Sequence, residues 1–555
     1  MSIQVKIIAT FEELLGLRSE WECLHRVNPY RTVFGTNAWA EVWWRAYGEG
    51  LQLCTPVAYE SSRAIAILPL ILGGRQLRAL GIPGADYFDI LSIPERGPEV
   101  LESICKTLLQ LSDWTTCELN NVPERSLLYS LLPNLPSWLK RLVRSRICAS
   151  CSALVLGEDR HATLAAILDK PSKRKHKNKL LSRPGVLFRN LDLSTDAADH
   201  LERFFAQHVA RRALTGERSR FLDRRVRKFY QLLIESPSIR ESVRFSLLEE
   251  NATPIAYHFG FQKDGLFLLY KPTFDIDRWD DSPGEALNLA LLNNIAADES
   301  VQIFDMTCGD EAYKSQYANR ATANYAISFY ARSVGGAAAR VLAEGKQFLR
   351  SLPRLMQNRK RALDFINSTV KARRAGEITG YASRPRFTRK EISLAEKGTK
   401  SSGGKSDYYA VSLGLAKLAE AMAVCGRPNP QLLRDARARF KRKERCVGIF
   451  SGNQLQCAVW VFFDAAANGS TVYDLWLPYA GKVEDFFDAI RVLVKQIAPL
   501  TFSPVIQEHF APLLQRLRVE DLSDGQSPGE GTSKGRMEED LERRSKSRKQ
   551  KPPAA

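Results

Sequence analysis

The chain has 555 residues, 44% of them hydrophobic and 9% aromatic, with a formal net charge of +18 at pH 7. That length exceeds what one core serves, so two to four domains are expected, with ample apolar content to pack them. Ten cysteines are too few for a disulfide scaffold, and the longest apolar run, AIAILPLIL (64–72), is too short for a bilayer and contains Pro69.

The excess of Lys and Arg suits an anionic partner: a nucleotide-bearing cofactor, RNA or an acidic membrane surface. Solubilising surface charge is the plainer alternative. Cys148 and Cys151 form a lone C-x-x-C with no second ligand pair, so no metal site is expected. The opening MSIQVKIIATFEELL lacks a basic stretch before an apolar core, so no secretory signal is expected. The expected location is cytoplasmic, with a peripheral place at the inner membrane face as the further option.

Residues 1–155 read as a first α/β unit. A helix starts at Thr36 or Asn37, both good N-caps. It carries Trp39, Val42, Trp43, Ala46 and Tyr47 on one apolar face. Three strands follow: LQLCTPVAY, AIAILPLIL and RQLRALG (51–81). The second unit, 156–332, opens on a basic stretch, SKRKHKNKLLSR (172–183). A helix then sets Leu201, Phe204, Phe205, His208 and Val209 on one face, and another helix covers 223–235. The same strand meander returns as VRFSLL, PIAYHFGF and LFLLYKP (243–272), followed by a helix.

Residues 333–406 read as basic helices and the linker GTKSSGGKS. Solvated helices packed on the preceding domain are favoured there over a lipid-bound segment. A third α/β unit spans 407–520. It has helices at 411–424 and 430–443, a third meander (445–478) and a helix at 482–498. The tail 521–555 is too polar to offset its ordering entropy and is expected to be disordered.

Only the second unit carries a dense set of polar candidates. The strand LFLLYKP feeds a loop and then Ser282-Pro283-Gly284. Ser is a good N-cap, Pro suits the first helical position, and Gly admits a close ligand. The free amides of such a helix start suit a pyrophosphate. The next strand, IFDM, places Asp305 before a loop that leads to Glu311, Tyr313 and Lys314. Asp305 is a candidate base or amine clamp, or else a carboxylate bracing the loop. Lys314 is a candidate cation for a phosphate or oxyanion, or else a surface lysine. His208 and His258 are alternative bases, but they lie at apolar positions, where a structural role is favoured. No Ser–His–Asp or Cys–His arrangement stands out, so covalent catalysis is not favoured.

The combination Pro254-Ile255-Ala256, Tyr270, Pro272, Phe274-Asp275, Ser282-Pro283-Gly284, Phe304-Asp305, Gly309, Glu311 and Tyr313-Lys314 resembles the GNAT-like acyltransferases of the CelD/BcsL type. These share an architecture with Fem-type peptidyltransferases. The Trp-rich helix, Ile67–Leu70, Asp86-Tyr87-x-Asp89 and the basic 172–183 stretch fit the same family, so the likeness covers about residues 5–335. The resemblance implies an α/β (α+β) class: tandem GNAT-like folds of mixed sheets flanked by helices. The third unit, with Tyr479-Ala480-Gly481 in place of Ser-Pro-Gly, would be a degenerate copy. It implies acyl-CoA as co-substrate, acetyl-CoA foremost, held by Tyr270, Ser282, Pro283 and Gly284. Asp305 and Lys314 would act in catalysis, and Asp86, Tyr87, Asp89 and Tyr313 would bind an amine or hydroxyl acceptor, such as a sugar, of polysaccharide or cell-envelope biosynthesis. The usual GNAT phosphate loop, R/Q-x-x-G-x-G/A, is absent. Two alternatives stand beside this reading. One is an aminoacyl-tRNA-dependent transferase, because Tyr313-Lys314-x-x-Tyr317 echoes a Fem-type F-K-x-x-F element. The other is a catalytically silent scaffold of a synthase complex, recruited through the 333–406 segment.

Overall fold

The structure, a computed structural model, describes residues 2–351, 408–425, 429–442, 444–451, 454–464, 469–476 and 500–502. The helix read at 482–498, the Tyr479-Ala480-Gly481 turn, residues 352–407 of the basic segment and the tail 521–555 lie outside the described residues. The described residues form two compact units. One runs to Ser351 and includes Gly414–Ala438; the other holds 408–413 and the residues from Arg439 onward. Of the helix expected at 411–424, the start is strand Tyr408–Leu413 and the helix is Leu415–Val424; with helix Pro430–Lys441 it clusters mostly with the first compact unit.

The local readings rest on periodicity and caps. Helix Asn37–Tyr47 begins where the Thr36 hydroxyl accepts the Trp39 amide, and it buries Trp39, Val42, Trp43, Ala46 and Tyr47. Helix Ala197–Leu214 buries Leu201, Phe204, Phe205, His208 and Val209. Strands Val243–Glu250, Thr253–Lys263 and Leu266–Phe274 are nearly continuous in apolar residues because helices cover both of their faces.

An eleven-stranded mixed sheet organises the first compact unit. Its second half begins with Val186–Asn190 and the antiparallel meander 243–274. A crossover through helix Pro283–Ala296 then brings Ile303–Cys308 in parallel to Leu266–Phe274, with pairing at Leu266–Ile303, Phe267–Phe304 and Leu268–Asp305. The first half repeats the device: Gln76–Ala79 lies parallel to Thr116–Pro123 after a crossover through helix Gly97–Gln110. The separate five-stranded sheet does so again, pairing Gly469–Trp476 in parallel with Leu500–Phe502. Each copy is a mixed α/β unit of the class expected from the sequence.

The two halves of the long sheet are not separable at residue 155. Strand Val143–Val155 of the first half lies between Ile303–Cys308 and Arg320–Tyr330, and Arg320–Tyr330 in turn pairs with Thr116–Pro123. The exchange of closing strands makes one continuous sheet, and it places first-half loops over second-half strand ends.

Candidate functional site

The parallel ladder between Leu266–Phe274 and Ile303–Cys308 stops at Leu268 and Asp305. Beyond that point the strands part toward their C-terminal ends. Two irregularities open the gap. On one arm the register passes from Phe259–Lys271 to Phe261–Leu268, so Leu269 and Tyr270 together oppose Gly260. A side chain at Gly260 would put its Cβ 2.2 Å from the Leu268 carbonyl oxygen, so the bulge requires glycine. On the other arm Thr307 has φ +55°, an unfavourable backbone for a β-branched residue. Its amide donates to Asp305 Oδ1 at 2.7 Å and its carbonyl accepts from Lys314 Nζ at 3.3 Å. Strain of this kind persists only where the surroundings over-determine it.

The gap is floored by the first half. The Tyr87 hydroxyl donates to Asp305 Oδ1 at 2.8 Å, and the Tyr270 hydroxyl donates to the Gly84 carbonyl. The Asp86 carbonyl accepts from Asn324 Nδ2 at 3.0 Å and from Cys308 Sγ at 3.3 Å, while its carboxylate lies 3.8 Å from Lys271 Nζ. Asp86, Tyr87, Tyr270 and Asp305, far apart in sequence, therefore meet at one place.

Three expected roles change. Asp89 is not in the gap: its carboxylate accepts the amides of Leu127 and Leu128, capping helix Leu127–Leu131. Asp89→Ala is expected to destabilise the protein by about 1–3 kcal/mol, read as a lower unfolding midpoint, because those amides lose their acceptor. Lys314 is no free cation. It is 4% exposed, its Nζ donates to Cys308 O at 2.9 Å and to the Thr307 and Gly309 carbonyls, and it pairs with Glu311 at 2.9 Å. Its charge fastens the Thr307–Glu311 turn. Asp305, 6% exposed, lies beneath Tyr87 and does not reach the opening.

The helix start also differs from expectation. Pro283 takes the first helical position, but Ser282 has φ +57° and its hydroxyl makes no cap bond. In that left-handed backbone the carbonyl of Ser282, not its side chain, meets the first-turn amides of Glu285 and Ala286. Gly284 faces the Phe274 ring: a Cβ there would sit 3.0 Å from it, and the Arg211 guanidinium lies 5.0 Å from the ring centre on the same phenylalanine. The basic stretch supplies counter-charges here. Lys173, 1% exposed, pairs with Glu285 at 2.9 Å and sits 3.9 Å from the Tyr317 ring centre, and Arg183 pairs with Asp281 at 2.7 Å.

The electrostatics divide these groups by task. Burial pushes the Asp305 carboxyl up to about 6, against the hydrogen bonds from Tyr87 and Thr307. A raised acid pKa means that this group's contribution to stability is full below pH 4 and is lost as pH rises through about 6. Tyr87 and Thr307 both donate to Oδ1, which an asparagine carbonyl can replace. Asp305→Asn is therefore expected to match the wild type near pH 4 and to exceed it by as much as about 3 kcal/mol at pH 8 in chemical denaturation. Parallel stability curves across that range would refute the assignment. His208 bonds Ser219 at 2.9 Å, His258 faces the Leu268 carbonyl at 3.3 Å, and burial lowers both, His258 to about 4. They are neutral packing groups, as their apolar positions indicated. The hydrogen bond shared with the Cys151 thiol, together with burial, pushes the Cys308 thiol up and away from a thiolate.

Two residues at the gap were not singled out from sequence. Lys271 stands over the Tyr270 ring at 3.6 Å with its side chain 32% exposed; burial lowers its pKa and Asp86 opposes that. Arg211 donates to the Pro272 carbonyl at 2.6 Å, and burial lowers it also. The available signal was the lysine inside the Tyr270–Pro272 motif. Which way it points depends on the bulge opposite Gly260. One cavity, of about 630 Å³, lies elsewhere, lined by Leu156, Glu158, Arg160, Glu299 and Gln302. It sits before strand Ile303–Cys308 begins, at the end where the ladder is closed.

Residues 172–315 match the family model described as acetyltransferase (GNAT) domain. The segment with the parted strands is thus a GNAT acyltransferase-type domain. Among solved structures, FemX matches with a TM-score of 0.42 and 9% identity, covering 59% of this chain and 97% of that one. A tandem GNAT protein from the clavulanic acid biosynthesis pathway matches with a TM-score of 0.38 and 17% identity over 60% of this chain and 100% of that one. L-PGS from Bacillus licheniformis matches with a TM-score of 0.36 and 11% identity over 60% and 96%. A search of curated proteins found no match to the chain.

Proposed function

We propose that this protein is an N-acyltransferase that moves an acyl group from an acyl-CoA, acetyl-CoA foremost, to an amine, such as an amino sugar, of polysaccharide or cell-envelope metabolism. The observation that carries the reading is the parting of Leu266–Phe274 and Ile303–Cys308 beyond Leu268 and Asp305, inside the segment that matches the GNAT domain. Where a ladder ends in this way, main-chain donors on the facing edges lose their strand partners, and a thioester carbonyl can take one as its oxyanion donor.

In this scheme the acceptor amine attacks the thioester carbon, the C–S bond breaks, and the thiolate leaves to take up a proton. The amine must lose a proton, and Lys271, partly buried at the gap and biased toward its neutral form, is placed to accept it. Asp86 at 3.8 Å tunes that lysine and offers an acceptor for the incoming ammonium. Asp305 and Lys314 act as positioning residues: they hold Tyr87 and the strained Thr307 turn. Arg211, against the Phe274 ring that faces Gly284, stands on the donor side of this scheme. The pathway follows from the CelD/BcsL resemblance alone.

A second reading, an aminoacyl-tRNA donor, is favoured by one observation. Phe274 covers Gly284, so the helix start does not admit the close approach of a bare pyrophosphate. Calorimetric titration with acetyl-CoA, longer acyl-CoAs and charged tRNA separates the two. Acyl-CoA binding with acylation of an amine supports the first. Strongly salt-dependent tRNA binding without acyl-CoA binding supports the second. Binding of neither leaves the scaffold.

A further inference from the structure

Helix Val334–Ser351 follows strand Arg320–Tyr330 and faces the protein with its polar side. Arg340 donates to the Arg141 carbonyl at 2.8 Å and pairs with Glu344 at 3.0 Å, and Glu344 also pairs with Arg144 at 3.2 Å. The buried Gly336 lets the helix start close on the sheet, since a Cβ there would sit 2.2 Å from the Ala331 carbonyl oxygen. Arg340 and Glu344, one turn apart, therefore mark the inward side with Gly336.

The outward side is apolar. Val334, Ala338, Val341, Leu342 and Gly345 fall on one stripe at helical spacing, and all are exposed. Val334 is 88%, Val341 68% and Leu342 64% exposed. This inverts the usual arrangement, in which a surface helix buries its aliphatic stripe and shows its charges. The sequence reading expects solvated helices over 333–406; in the described part, Val334–Ser351, the face shown to water is apolar.

We propose that Val334–Ser351 docks this protein on an anionic membrane surface, with the Val334–Val341–Leu342 stripe entering the headgroup boundary. Charge selects that partner. Helix Val334–Ser351 itself carries three Lys and Arg against one Glu, in a chain of net charge +18. RNA would use the cations but not three exposed aliphatic side chains; a lipid surface with acidic headgroups uses both. Among the described residues no helix is long and apolar enough to cross a membrane, so the contact is peripheral.

The test is sedimentation of the full-length protein with vesicles of phosphatidylcholine alone and of phosphatidylcholine with phosphatidylglycerol. Wild type is expected to sediment with the anionic vesicles only, less so as salt rises. Val341→Glu with Leu342→Glu is expected to weaken that binding at least about tenfold with no change in unfolding midpoint, because both positions are exposed. Absence of binding to the anionic vesicles overturns the proposal, as does equal binding by the double variant. A double variant that unfolds early also overturns it, since the stripe would then be packed within the protein. RNA capture or dimerisation without vesicle binding assigns the surface to another partner and overturns it equally. None of these readings depends on acyl transfer.

Discussion

Lys271→Met is expected to lower kcat/KM for acylation of an amine by about 10²–10⁴-fold while leaving donor binding nearly unchanged, the range typical for loss of a positioned base. Methionine keeps the aliphatic stem that lies against the Tyr270 ring, so packing is largely preserved. The sharper comparison is Lys271→Arg. Arginine keeps the positive charge but does not deprotonate in the working range. If Lys271 acts as a base, the arginine variant fails like the methionine one. If it serves only as a fixed cation, arginine restores most of the rate and the proposed role is wrong. The wild-type rate should rise with pH through the lowered pKa of the lysine, since only the neutral amine accepts a proton. Asp86 favours the charged lysine, so Asp86→Asn should move that limb to lower pH. Rates measured at saturating donor over a pH series decide both points.

Lys173→Met is expected to cost about 3 kcal/mol of stability in chemical denaturation, near the lower end for breaking a buried ion pair. Lys173 is 1% exposed and donates to both Glu285 and Gln316 at the start of helix Pro283–Ala296. Removing it leaves Glu285, among the described residues, facing the Tyr317 hydroxyl in a largely covered site. The Glu285 side chain keeps 23% exposure, which moderates the loss. The double variant Lys173→Met, Glu285→Gln should recover part of the loss, because no uncompensated charge remains. Strict additivity would mean that the pair does not interact. The same lysine belongs to a stretch that in sequence looked like a surface for anions, and burying it reduces what that stretch offers to RNA.

The elements were legible where the information is local. Apolar spacing gave the Trp39–Tyr47 face and the second and third meanders, and Pro283 marked a helix start, but the stretch read as a first meander (51–81) divides into short strands of two sheets: Thr55–Glu60 and Arg63–Ile67 in one, Leu70–Gly73 and Gln76–Ala79 in the other. His208 and His258 were recognisable as packing residues from the apolar positions they occupy. The parts of the site that went unread share a cause. Ser282 looked like an N-cap, yet its left-handed backbone is set by the turn packed before it, not by its own preference. Lys314 looked exposed by composition, but the strained Thr307 turn offers carbonyls that draw it inward. Asp89 shared a motif with Asp86 and Tyr87 but points the other way, to amides at Leu127 and Leu128.

The amino-acid order by itself determined the apolar faces of the strands and helices, that the meander of the second copy recurs in the third, and that the second copy concentrates the polar residues, because period, caps and turn residues act over a few positions. Only the tertiary structure decided that Val143–Val155 and Arg320–Tyr330 close one sheet across both halves, which sets Tyr87 on Asp305 and Asp86 beside Lys271. Those pairings join residues about two hundred positions apart. They depend on which edges remain open once each half has formed, and no local preference encodes that.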